Sequence, residues 1–159
     1  GCISGRKELV DLCRQRARPY LFSNTLASVI VSGTLEVLDL VSETTQRRDH
    51  LEENTRFWRK GLTEAGFDIK AGASPIVPVM LYDAKLAQDV ARDLFAEGVY
   101  VVGFFFPVVA KGQARIRTQL SAAHTREHLE RALDAFVKVG KKHDILGKTK
   151  AEIVARYGL

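Results

Sequence analysis

The stretch SNTLASVIVSGTLEVLDLVSE, residues 23–43, limits what this chain can be. At helical spacing, Leu26, Val29, Ile30, Val31, Leu35, Val37, Leu38 and Leu40 cover most of the circumference. Ser28, Ser32, Glu36 and Asp39 leave only a thin polar stripe. A helix apolar on nearly every side belongs inside a larger body or at an interface. This one is too short, and its stripe too polar, to span a membrane. In a chain of 159 residues, the pattern asks for packing partners beyond those in view. Ser23 or Asn24 stands where it can cap the helix.

The flanking segments read more plainly. RKELVDLCRQRA, residues 6–17, has Leu9, Leu12 and Cys13 on one helical side, and Arg18-Pro19 should end that helix. From Glu43 to Ala65 a single apolar stripe (Leu51, Trp58, Leu62, Ala65) predicts a long surface helix closed by Gly66. Phe67–Lys70 and Ile76–Tyr82 read as strands, the second nearly continuous in apolar residues and so buried. Pro78 within it predicts an edge position or a bulge. Asp83 should cap a helix carrying Leu86, Ala87, Val90, Ala91, Leu94 and Phe95, with Gly98 at its end. A strand is expected at Val99–Val102, another over ARIRTQL, and a last helix capped by Thr125 that buries Leu129, Ala132, Leu133, Phe136 and Val137. The tail GKTKAEIVARYGL shows weak periodicity and is read as an appendage. The order strand, strand, helix, strand, strand, helix predicts an α+β unit: a small, mostly antiparallel sheet with helices on one face.

Hydrophobic residues at 46% and charged residues at 27% are values for a packed chain. The net charge of +5 is spread, with RQRAR, RR and KK in different segments. That dispersal favours a solvated face over a nucleic-acid footprint. Cys2 and Cys13 form no CxxC and have no histidine cluster nearby, so neither a zinc site nor a disulfide framework is expected. Reduced thiols fit an intracellular setting. No membrane association is expected.

Arg115 and Arg117 stand two apart in a strand and so share a face, opposite Ile116, Thr118 and Leu120. Guanidinium groups present a planar fork suited to a carboxylate or phosphate. The alternative is a pair of solvent-facing arginines matched with nearby carboxylates. His124 follows in the turn SAAHT without an Asp, Ser or Cys at catalytic spacing, and reads as a turn histidine. The Phe104–Phe106 run is either pocket lining or plain core, and its order fits RNA-binding strands poorly.

RPYLFSNTLA (18–27), IVPVMLYDAKLAQDVARDLFAEGVYV and GFFFPVVAKGQARIRTQLSAAHT (103–125) together resemble the α-oxoamine synthases, pyridoxal-phosphate enzymes of the aspartate-aminotransferase fold. The resemblance runs from Gly1 to about Ile145, and within the family is strongest to members that condense glycine with acetyl-CoA, giving 2-amino-3-oxobutyrate and CoA. It implies a fold-type-I transferase of which this chain is the C-terminal part. Residues 1–42 would end the large cofactor-binding domain and carry a dimer-interface helix. Residues 43–147 would form the small α+β domain, and 148–159 a tail.

The resemblance further implies a homodimer in a bacterial cytoplasm or mitochondrion, with pyridoxal 5'-phosphate as cofactor and no metal. Arg117 would bind the substrate carboxylate, and Phe105 would face the substrate cavity. Ser23 and Asn24 would reach the neighbouring subunit's cofactor phosphate. The Schiff-base lysine would lie upstream, leaving no catalytic residue here and an inactive fragment. Arg115 would brace the strand by pairing with a carboxylate. Departures are Ser28, Ala110 and Phe106, at positions where relatives often carry Pro, Pro and Tyr. The framework also admits relatives of the 8-amino-7-oxononanoate synthase type, using alanine and a long acyl-CoA, and of the 5-aminolevulinate synthase type, using glycine and succinyl-CoA. A free-standing module binding an amino acid or RNA is the non-enzymatic alternative.

Overall fold

The computed structural model describes residues 3–157, which leaves Cys2 outside the described residues. The chain divides into two compact units, Gly1–Thr44 and Thr45–Leu159.

The first unit holds α1 (Lys7–Arg16), the short α2 (Arg18–Leu21) and α3 (Ser28–Glu43). Proline does not close a helix here. Ala17 is extended and closes α1, and Arg18-Pro19 opens α2. A proline in the first turn gives up no intrahelical hydrogen bond, so it suits a start as well as a stop. α3 begins later than its pattern suggested. Its N-cap is Ala27, with no side-chain cap, so Ser23 and Asn24 lie in the irregular run before it. No residue of these three helices is buried. Val29 and Ile30 are 76% and 55% exposed, far more than such side chains tolerate in a finished core.

The second unit contains α4 (Gln46–Glu64), β1 (Ile76–Tyr82), α5 (Ala84–Ala96), β2 (Gly103–Phe104), β3 (Ala114–Gln119), α6 (Arg126–Lys142) and α7 (Lys150–Tyr157). The sheet is antiparallel throughout, in the order β1-β3-β2. β1 is an edge strand, one of the two placements that Pro78 allowed. The Pro78 carbonyl accepts from the Lys70 N–H on the side away from β3, so the missing proline N–H costs the β1–β3 ladder nothing. The expected strand at Phe67–Lys70 shrinks to one bridge, Ile69 to Val79.

Helix ends follow local chemistry. Asp83 accepts from the Leu86 N–H at 2.7 Å, and Thr125 and His128 cap α6 reciprocally. Gly66 takes φ +92 after α4, where an added Cβ would stand 2.8 Å from the Gly147 nitrogen. Only glycine permits both the conformation and the approach. Strand Val99–Val102 does not form; regular pairing starts at Gly103. The tail is no appendage. Thr149 and Glu152 cap α7, which buries Ile153 in the core and brings Lys150 over the Tyr82 ring at 5.6 Å.

Inside the sheet, Val77, Val79, Leu81, Ile116 and Thr118 meet Trp58, Leu62, Leu86, Leu94, Leu129 and Phe136. The Trp58 and Phe136 rings pack edge-on at 5.4 Å. The Trp58 Nε1–H donates to Thr118 Oγ1 at 2.9 Å, and that hydroxyl donates to the Val77 carbonyl at 2.9 Å. This buried relay joins α4, β3 and β1. Tyr82, at a β-bulge, sits at φ +65 and its hydroxyl donates to the Asp68 carboxylate. Burial, then the Asp68 bond and charge, push its phenol up to about 12. Asp93 of α5 takes Lys142 Nζ at 2.8 Å and His143 Nε2 at 2.6 Å, tying α5 to the end of α6.

Two outcomes follow from this packing. Thr118→Val keeps the volume but strips the Trp58 N–H of its partner, and should cost about 1–3 kcal/mol in urea unfolding followed by Trp58 fluorescence. Its Tm matching the parent would show that the relay carries no weight. The hydrogen bonds from Lys142 and His143 hold the Asp93 carboxyl below its usual range. Its contribution is therefore present above the unfolded carboxylate pKa of about 4 and is lost as pH falls below it. Unfolding curves of the parent and Asp93→Asn should differ at pH 7 and converge toward pH 3.

Candidate functional site

Alternation along β3 decides what the site can be. Ala114, Ile116 and Thr118 are buried against the helices, while Arg117 and Gln119 are exposed on the other face. With Thr118 held inward by Trp58, Arg117 has no choice but to point out. It stands opposite Pro78 of β1, whose side chain offers no hydrogen bond. Phe104 pairs with Arg115 in register, which places its ring diagonal to Arg117. The Arg117 guanidinium lies over that ring, 4.3 Å from its centroid. Such a stack fixes the plane of the guanidinium and leaves its edge N–H groups free for an anion. Among the described residues, no carboxylate forms an ion pair with it.

Arg115 behaves differently. It is half-buried between Met80 and Phe104, and its Nε is buried without a hydrogen-bond partner. The expected pairing with a carboxylate of this unit is absent among the described residues. Phe105, expected to face a substrate cavity, is half-buried and packs on one side against the core cluster. The aromatic contact to the arginine comes from Phe104, which the sequence reading placed only within a run of three. Cross-strand register was the signal that separates them, and it depends on knowing where β2 begins.

After β3, the turn 121–124 is shaped by its own polar groups. The Ser121 N–H donates to His124 Nδ1 at 3.2 Å, and Asn54 of α4 donates to the His124 carbonyl at 2.8 Å. His124 therefore carries its ring proton on Nε2. Between this turn, β3 and the unpaired run before β2 lies a cavity of about 520 Å³. Trp58, Leu129 and Phe136 form its buried floor, and Arg117 and His124 also line it.

Ser23 and Asn24 belong to the first unit, exposed in the irregular run between α2 and α3. Because neither is the N-cap of α3, the attraction of a helix N-terminus for phosphate does not extend to them. Among the described residues, no cluster of His, Cys, Asp or Glu is arranged to hold a metal ion. No helix among the described residues is long and apolar enough to cross a membrane.

Residues 1–136 match the family model described as aminotransferase class I and II. The chain is 51% identical over 146 residues to the 2-amino-3-ketobutyrate coenzyme A ligase of Escherichia coli strain K12, covering 92% of this chain and 37% of that protein. It is 44% identical to the mitochondrial enzyme of the same name from Homo sapiens, across 92% of this chain and 35% of that one. It is 42% identical to the 8-amino-7-oxononanoate synthase of Thermosipho melanesiensis, across 92% and 37%. The fold matches the serine palmitoyltransferase of Sphingomonas wittichii with a TM-score of 0.79 at 26% identity, over 91% of this chain and 37% of that one. A serine palmitoyltransferase of S. paucimobilis, with bound PLP-myriocin aldimine, matches with a TM-score of 0.76 at 28% identity, over 88% and 35%. The chain thus spans little more than a third of the curated relatives it matches.

Proposed function

The chain belongs to the aminotransferase class I and II family, and from that premise we propose that it is the C-terminal part of a pyridoxal-phosphate-dependent acyltransferase condensing glycine with acetyl-CoA to 2-amino-3-oxobutyrate and CoA. The observation that carries this reading is Arg117: exposed, stacked on Phe104, and without a carboxylate partner among the described residues. A guanidinium fixed in this way is ready to receive a carboxylate from outside.

Arg117 binds the glycine carboxylate through its edge N–H groups. Holding that carboxylate fixes which bond at Cα stands ready to break, since rotation about the N–Cα bond is the freedom removed. Pyridoxal phosphate, when bound, supplies the sink for the electron pair left as the Cα–H bond is cleaved. Ser23 and Asn24, exposed ahead of α3, offer a hydroxyl and an amide to its phosphate. No lysine of this chain is assigned to the cofactor. Lys7, Lys60 and Lys85 sit in exposed pairs with a carboxylate four residues on, and none of them is desolvated as a Schiff-base lysine is. Assembly as a homodimer is part of the same proposal. Identity of 51% against 42% favours the glycine and acetyl-CoA reaction over the 8-amino-7-oxononanoate type.

In a longer protein containing this chain, Arg117→Gln should raise the KM for glycine roughly tenfold to a hundredfold while leaving that for acetyl-CoA nearly unchanged. An unaltered glycine KM would remove the assignment. The 159-residue chain, mixed with glycine, acetyl-CoA and pyridoxal phosphate, should release no CoA above background in a thiol assay. Product analysis across alanine, glycine and a series of acyl-CoAs separates the two reaction types.

A further inference from the structure

The cavity beside β3 is lined by residues of two chemical kinds. Its floor is apolar and buried: Trp58, Leu129 and Phe136 are 3%, 4% and 1% exposed. Arg117 and His124 also line it, and the His124 Nδ1 is taken by the Ser121 N–H, so that its Nε2–H is a donor. None of its lining residues is acidic. It exists because residues 99–102 do not continue the β2–β3 ladder. The register Gly103↔Ile116 would place Val101 opposite Thr118, but pairing ends at Gly103. A space of about 520 Å³ is within the range of small-molecule pockets.

We infer that this cavity binds a monocarboxylate with a medium-length alkyl tail, its tail against Trp58, Leu129 and Phe136 and its carboxylate between Arg117 and His124. The charge pattern selects this class. An alcohol of equal length gains the floor but not the guanidinium, and an alkylammonium brings like charge to it. A compact dicarboxylate or inorganic phosphate gains the guanidinium and leaves the floor unfilled. The site shares Arg117 with the proposed glycine site but does not rest on that reading, since its tail pocket lies among α4, α6 and the 99–102 run. Where both hold, an alkyl carboxylate competes with the amino acid for Arg117.

Trp58 is the chain's one tryptophan, so its fluorescence reports this cavity and is silent about the exposed apolar surface of α3. The test is titration of the full 159-residue chain with octanoate, octan-1-ol and octyltrimethylammonium below their micellar concentrations. Octanoate should shift Trp58 emission saturably and bind about tenfold more tightly than octanol, with no saturable response to the ammonium. Arg117→Gln, at an exposed position, should bring octanoate down to the octanol level. Ala132→Phe, which fills the cavity from α6, should abolish both responses. Equal octanoate and octanol affinity, or an octanoate response that survives Arg117→Gln, overturns the carboxylate class. A Trp58 signal unmoved by octanoate overturns the site, and none of these outcomes bears on glycine turnover by a longer protein.

Discussion

One buried side-chain relay orders the second unit. Trp58 donates to Thr118, and Thr118 donates to the Val77 carbonyl, which joins α4 to the two strands through side chains. A tryptophan N–H and a threonine hydroxyl are expensive to bury unpaired, so each fixes the other's position. Once Thr118 faces inward, the strand's period of two sends Arg117 and Gln119 outward and Ile116 in. A slip of one residue would bury a guanidinium against Phe136 and expose Ile116. The placement of the candidate anion-binding arginine is thus a consequence of core packing on the opposite face.

Much of this unit was legible because its signals are local. Asp83 and Thr125 cap α5 and α6 through their own side chains, and Gly66 and Gly98 take the positive φ that helix ends need. The nearly continuous apolar run of β1 marked a buried strand, and Pro78 marked an edge position or a bulge. The failures were of another kind. Val99–Val102 has strand composition, but a strand exists only where a partner's backbone comes within reach, and β3 is paired on that side only from Gly103 onward. Phe67–Lys70 fell to a single bridge for the same reason. α7 has weak periodicity, and its stability comes from burying Ile153 and from the Thr149–Glu152 cap, neither of which a hydropathy pattern of eight residues can announce.

The site was legible to the same depth. Arg117 could be singled out from spacing and from a family resemblance, and it is exposed with its guanidinium over Phe104. Which phenylalanine stacks on it could not be read, because Phe104, Phe105 and Phe106 differ only in register. Arg115 and Arg117 look equivalent in sequence and are not in space. Arg117 has a ring beneath it and solvent at its edge, whereas Arg115 keeps a buried Nε without a partner. Ser23 and Asn24 have the right chemistry for a cap, yet α3 starts at Ser28, so side-chain type alone did not locate the helix end.

The two units also differ in how their helices are stabilised. α4, α5 and α6 each bury a stripe against the sheet, which supplies the free energy that helix propensity alone does not. α3 has sixteen residues and no buried one, with Val29, Ile30, Leu35 and Val37 all more than half exposed. An isolated helix of that length is marginal in water, and β-branched residues at six of its sixteen positions weaken it further: Val29, Ile30, Val31, Thr34, Val37 and Val41. Its sequence is therefore selected for contact with apolar surface and not for standing in solvent. The same reasoning, applied to Arg115, explains an arginine retained half-buried without a counter-charge. Both features carry unfavourable terms as they stand, and both become favourable where further surface meets them.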